Sequence, residues 1–201
     1  MKKIILILTV LLFACPATGA FAYKILYAEQ FYKLYHSHYI QYPEDSAENI
    51  YYLENALKRP FVNPLNAIGL IKNEKQWERY RRLFYLHVNL KLIEQYRLLA
   101  VKYDKFDAYF FNYPWKQENL RSLQMAELYY KDALYYWDRV LEQVEAMAEL
   151  PYLYIEGIEY WEDELMRIKS GQLDYEEFIG DDLKRLYEVR DKFEKMTPET
   201  Y

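Results

Sequence analysis

The sequence predicts an all-α fold, an elongated helical bundle or stacked helical hairpins built around two long antiparallel helices. Three observations predict it. Glycine is scarce, 5 residues in 201, which leaves too few tight turns for a sheet protein. Apolar residues recur at three- and four-residue spacings over most of the chain, the period of a helix buried along a stripe. Two helical patterns of nearly equal length, over 74–109 and 115–149, flank a short corner that carries Pro114. Matched lengths and a short connection make an antiparallel hairpin the economical arrangement.

Composition agrees with a packed domain. Hydrophobic residues make up 52% and charged residues 28%, so a core is easily supplied and disorder is disfavoured. The 24 tyrosines suit thin helical layers, because a tyrosine buries its ring while keeping a polar tip wet. The formal charge is −5, and removing residues 1–22 takes away Lys2 and Lys3 but no acid, leaving −7. An acidic body lacks the basic footprint that nucleic acid requires.

The elements follow in order. Lys2-Lys3, the apolar run Ile4–Ala14 and the small-residue stretch ending Ala20-Phe21-Ala22 read as a secretory signal peptide over 1–22, cleaved after Ala22. The apolar run is short for a membrane span. The alternative is a lipoprotein signal, Leu12-Phe13-Ala14-Cys15, in which the only cysteine would be lipidated and the protein membrane-anchored. Cleavage after Ala22 leaves no cysteine and therefore no disulfide.

Residues 23–72 form a region of short helices. Ile25, Leu26, Phe31, Leu34, Tyr35 and Tyr39 give an amphipathic helix over 24–42, stopped before Pro43. Asp45 or Ser46 caps a helix over 47–58, with Glu48 placed to complete a capping box. Asn63-Pro64 opens a short helix to about Lys72.

Residues 73–150 form the long hairpin. Asn73 and Glu74 start the first arm. Trp77, Tyr80, Phe84, His87 and Val88 give one apolar stripe, and Leu83, Leu86, Leu90, Ile93 and Leu99 a second, so this helix is buried on more than one side. Pro114 sits where a helix tolerates it, at the start of the second arm. That arm carries Leu120, Leu123, Met125, Leu128, Ala133, Leu134, Trp137, Leu141, Val144 and Met147 as its apolar face. Residues 151–201 supply C-terminal helices that pack on the hairpin. Pro151 breaks the chain, 152–169 resume a helix through Ile155, Ile158, Trp161, Leu165 and Ile168, and Ser170-Gly171 stops it. Asp174 caps a last helix to about Lys195, weakened by Gly180.

The residues that could carry chemistry are few. His36, His38 and His87 are the only histidines, and none follows a glutamate by three as a di-iron bundle requires. No metal or other cofactor is therefore expected. Glu156, Glu159 and Asp163 share a helix face, beside Glu162 and Glu164, and paired carboxylates can serve acid–base work only within a cleft. Such a row ordinarily is a solvated face. There is no nucleophile elbow or phosphate loop, so no catalytic residue is assigned and the protein is expected not to be an enzyme. Pairs one turn apart, Glu78/Arg82, Glu127/Lys131, Asp163/Arg167 and Glu188/Lys192, belong to solvated faces as well.

The corner is different. Tyr109, Phe110, Phe111, Tyr113 and Trp115 crowd seven residues. One corner cannot bury all of them, and exposed Tyr and Trp are the residues that anchor partners. These five are the candidate partner-binding residues.

Ala126-x-x-x-Tyr130-x-x-Ala133-Leu134 resembles the second helix of a tetratricopeptide repeat, though no 34-residue period recurs. It implies close helix packing at Ala126 and Ala133. The stretch from Trp77 to Tyr96, with Tyr103-Asp104-Lys105 and the Pro114-Trp115 corner, resembles exported tyrosine-rich helical proteins of spirochaetes, some of them components of the motor collar or filament coat of the periplasmic flagella. That resemblance spans roughly 45–196 and implies a structural or assembly role in the periplasm. The expected partners are other proteins of such an assembly, flagellar ones among them, and a second copy of the chain. A periplasmic binding module that stacks a glycan or small ligand on exposed aromatics is the alternative.

Overall fold

The computed structural model describes residues 24–105 and 112–200. Residues 1–22 and three corner aromatics, Tyr109, Phe110 and Phe111, lie outside them. The described residues form six α-helices and no strand: α1 Ala28–Gln41, α2 Ser46–Lys58, α3 Glu74–Tyr103, α4 Lys116–Ala146, α5 Glu159–Lys169 and α6 Tyr175–Glu194. Short 3-10 turns lie at Pro64–Asn66 and Tyr113–Trp115. The fold is an all-α bundle. No described helix is long and apolar enough to cross a membrane.

α3 is the axis. It packs against α2, α4 and α5, while α1 lies on α2 and α6 on α4. Leu83, Phe84, Leu86, His87, Val88, Leu90 and Ile93 are all buried, so both predicted stripes are covered. The register with α4 is antiparallel. Ser122 Oγ donates to the Tyr103 carbonyl at one end, the Tyr96 and Tyr136 rings stack at 5.4 Å midway, and Arg82 reaches Gln143 at the other end. At 1.5 Å per residue, the 30-residue α3 is a rod of about 45 Å.

The buried face of α4 matches the predicted one in part. Asn119, Leu123, Ala126, Tyr130, Ala133, Trp137 and Val140 line its seam, an alternating four- and three-residue step of the coiled-coil kind. Met125, Leu128 and Leu141 lie outside that step and are exposed. Ala126 and Ala133 are fully buried in the seam, where their small side chains let neighbouring helices approach.

Local signals set the helix starts. Asp45 accepts from the Glu48 amide, Asn73 from Gln76 and Asp174 from Glu176 and Glu177, each satisfying donors that a helix start leaves orphaned. Only half of the expected capping box at Asp45 forms, because the Asp45 amide donates to the Tyr42 carbonyl instead. Gln30 turns back to accept from the Leu26 and Tyr27 amides at the start of α1.

Two predicted helical stretches are not helical. After the Pro64–Asn66 turn, 67–72 run irregularly, and 152–158 lie outside any helix. These segments meet each other. Leu70 donates to the Glu156 carbonyl, and Gln76 reaches the Tyr154 carbonyl. Gly157 has φ +94°, a conformation that continues no right-handed helix. Ile155 and Ile158, three residues apart, are buried by this docking rather than by a helix face. α3 likewise ends at Tyr103, because Asp104 leaves helical geometry and its carboxylate accepts from Tyr130 and pairs with Arg185.

Rings fill the centre. Trp161 is fully buried, stacks on His87 at 5.2 Å and meets Phe84 and Tyr32 edge-on. Such contacts add about 0.5–1.5 kcal/mol each beyond the area they bury.

Candidate functional site

The corner begins where α3 and α4 approach at Tyr103 and Ser122. Its described part is a proline turn leading directly into α4, since Pro114 presets the backbone and needs no donor. Tyr113 is 39% and Trp115 47% exposed. The turn is tied to the end of α6. The Tyr113 amide donates to the Thr200 carbonyl, and the Lys116 ammonium donates to the Glu194 and Met196 carbonyls while lying 6.0 Å from the Tyr113 ring centre. Two half-exposed rings therefore stand on a turn tied to the chain's stretch 194–200.

The interior carries polar groups that sequence reasoning did not pair. Arg79 and Glu162 form a buried bidentate pair, Nε to Oε1 at 2.6 Å and Nη2 to Oε2 at 2.7 Å. Arg79 Nη1 also donates to the Pro151 carbonyl at 3.0 Å. Glu29 accepts from the Val62 amide and the Tyr80 hydroxyl, and burial pushes its pKa up. The third group is a chain: Tyr160 hydroxyl, Tyr32 hydroxyl at 3.0 Å, His87 Nε2 at 2.9 Å from that, and Glu164 Oε2 at 2.7 Å from His87 Nδ1. With the carboxylate accepting, His87 Nδ1 carries its proton and Nε2 accepts from Tyr32. Burial holds the His87 pKa below its ordinary value, against the pull of Glu164.

A hydroxyl, an imidazole and a carboxylate in line have the composition of a proton relay. Here the centre of the relay is closed, although Tyr160 at its outer end is 45% exposed. Tyr32 is 6% and His87 1% exposed, and the imidazole lies flat against Trp161. The chain connects α1, α3 and α5, as Arg79–Glu162 connects α3 and α5. Both act as geometric clamps between helices far apart in sequence, 55 and 77 residues for the two bonds at His87.

The acids grouped by spacing behave otherwise. Glu156, Glu159 and Asp163 are exposed, and Glu159 accepts from the Gly157 amide and the Tyr154 hydroxyl just ahead of α5. Glu162 and Glu164, on other faces of the same helix, hold the interior instead. Of the four pairs one turn apart, Glu127–Lys131 closes among the described residues, at 2.7 Å, and Arg190 and Tyr187 of α6 join it. His36 is exposed, and His38 Nδ1 donates to Asn49 Oδ1. Among the described residues, no three His, Cys, Asp or Glu side chains group as a metal centre would need.

Fold and site together define an all-helical bundle domain with clamped polar contacts inside and aromatic rings at its corner. The chain belongs to the family of the domain of unknown function DUF8513, which it matches over residues 75–196. That span runs from the start of α3 past the end of α6, so it includes both partners of Arg79–Glu162 and the corner, but not Tyr32. No curated protein matches the chain, and no solved structure does.

Proposed function

We propose that this protein is a non-enzymatic assembly module that docks to a larger protein structure through its aromatic corner. The observation that carries the reading is the corner itself. Tyr113 and Trp115 hold about two-fifths to half of their surface open on a turn braced by Lys116 and the end of α6. Rings held in place before binding lose little freedom on docking, which is what makes Tyr and Trp effective anchors. The signal-peptide pattern of residues 1–22 supports a periplasmic location for that assembly, and the resemblance to tyrosine-rich spirochaete proteins favours the periplasmic flagellar apparatus. Partners are other proteins of the assembly or a second copy of the chain.

The test is crosslinking in intact cells with the wild-type protein and with Trp115→Ala combined with Tyr113→Ala. The double variant keeps the helical circular-dichroism signal and loses the captured partner. Equal capture by wild type and variant would remove the corner from the interface.

A further inference from the structure

A second feature lies at the far end of the hairpin, where Arg82 faces Gln143, roughly 30 Å along α3 from Tyr103. Phe61, Glu78, Arg81, Arg82 and Tyr85 line an open cleft of about 290 Å³ there. Glu78, Arg81, Arg82 and Tyr85 project from one face of α3 by the spacing of a helix turn, and Phe61 closes the cleft from the segment after α2. The Phe61 and Tyr85 rings meet edge-to-face at 5.2 Å, forming an aromatic wall.

Among the described residues, Arg81 and Arg82 share with Arg59, Arg121 and Arg167 the lack of an ion-pair partner, but they alone line this cleft. Arg79, Arg97, Arg139, Arg185 and Arg190 each hold a carboxylate. Arg81 and Arg82 hold none among the described residues. Among the described residues, Arg82 makes one long contact, to Gln143 Oε1 at 3.4 Å. The Arg81 guanidinium lies 5.7 Å from the Trp77 ring centre, which fixes its orientation. Its Nε is shielded from solvent without a hydrogen-bond acceptor, as are those of Arg97 and Arg185, so any anion in the cleft meets the terminal nitrogens. Glu78, one turn before Arg82, does not close onto it and is exposed. Both guanidinium groups act on the Tyr85 hydroxyl, whose pKa burial pushes up and the two arginines pull back down. Two cations and one acid leave the cleft net positive on a chain whose formal charge is −5.

We infer that this cleft is a binding site for a small anionic group, carboxylate or phosphate, carried on a flat apolar body. Guanidinium forks match the paired oxygens of either anion, and the Phe61–Tyr85 wall takes the apolar part. The volume sits at the lower edge of small-ligand sites, so the occupant is one ring with its charged group rather than a larger cofactor. The site stands apart from the corner and does not depend on the assembly reading.

Calorimetric titration of the full mature chain tests it, with benzoate and phenyl phosphate as probes and benzyl alcohol as the uncharged control. At least one anion binds at millimolar concentration and the alcohol does not, and comparison of the two anions tells carboxylate from phosphate. Arg81→Gln and Arg82→Gln each weaken binding by about tenfold, the loss of one charge-assisted contact, with helical signal unchanged. Glu78→Gln, an exposed change that leaves the fold alone, tightens binding severalfold by removing the opposing charge. The inference is overturned if neither anion binds, if benzyl alcohol binds equally well, if both arginine variants bind like wild type, or if Glu78→Gln fails to tighten.

Discussion

Replacing Arg79 with Met isolates what the buried clamp contributes. Met fills much of the same volume and removes three donated bonds: two to Glu162, at 2.6 and 2.7 Å, and one to the Pro151 carbonyl at 3.0 Å. The Arg79 and Glu162 side chains are only 5% and 10% exposed, so water cannot replace the lost partner. Removing one member of such a pair leaves an uncompensated charge and costs about 3–5 kcal/mol. For a chain of this size, each kcal/mol lowers the melting temperature by about 2–4 °C, so the expected fall is roughly 6–20 °C. The assay is urea and thermal unfolding of wild type, Arg79→Met, Glu162→Leu and the double variant. Because desolvating both charges offsets most of their attraction, the double variant recovers more than half of the single-variant loss. A loss in Arg79→Met below about 1 kcal/mol, the value of an exposed pair, would refute the reasoning. So would a double variant as unstable as the sum of the singles.

Three further outcomes complete the set with the anion titration above. His87 has a folded pKa below the ordinary 6.5, caused first by burial, with Glu164 and Glu94 pulling up and Lys91 pushing down. The unfolded chain therefore binds the proton first. Stability is full above about pH 7 and falls as pH drops through 6.5 toward the folded pKa, by no more than about 1.4 kcal/mol per pH unit. His87→Gln removes that slope in urea unfolding, and a wild-type stability that rises on acidification through the same window would show that Glu164 outweighs burial. Gly69→Ala places a Cβ 2.7 Å from Ile155 Cγ2 and 3.3 Å from the Glu156 carbonyl oxygen. Overpacking there costs about 1–3 kcal/mol in thermal unfolding, where an unstrained glycine replacement would stabilise instead. Trp115→Ala with Tyr113→Ala changes stability little, as expected of half-exposed rings, and the loss is read in partner capture alone.

Much of the architecture was written locally. Asp45, Asn73 and Asp174 announce helix starts because a capping carboxylate or amide reaches a backbone donor only two or three residues on. The burial of α3 on several sides was legible because its apolar residues occupy two stripes rather than one. Pro114 marked the entry to α4 through its fixed φ and missing donor. The α4 face was read correctly at Leu120, Leu123, Ala133, Leu134, Trp137, Val144 and Met147 but not at Met125, Leu128 and Leu141, because apolar residues lie on both sides of that helix and composition does not say which side meets a neighbour. Met125 and Leu128 are as apolar as Leu123, yet they are exposed while Asn119, Leu123, Ala126 and Tyr130 are buried.

The site divides in the same way. Crowding of rings near Pro114 identified the corner from sequence alone, while the exposure of Tyr113 and Trp115 depends on how the end of α6 lies beside them. Tertiary packing also made 152–158 irregular. Ile155 and Ile158 satisfy a helical spacing equally well, but docking against 67–72 and the left-handed Gly157 won. By itself the sequence determined the helix starts at Asp45, Asn73 and Asp174, the all-α class and the central hairpin, since those rest on interactions within one or two turns. Only the tertiary structure decided that Glu162 and Glu164 turn inward while Glu159 and Asp163 stay wet. Their partners, Arg79 and His87, lie 83 and 77 residues away, and spacing along one helix carries no information about a charge waiting on another.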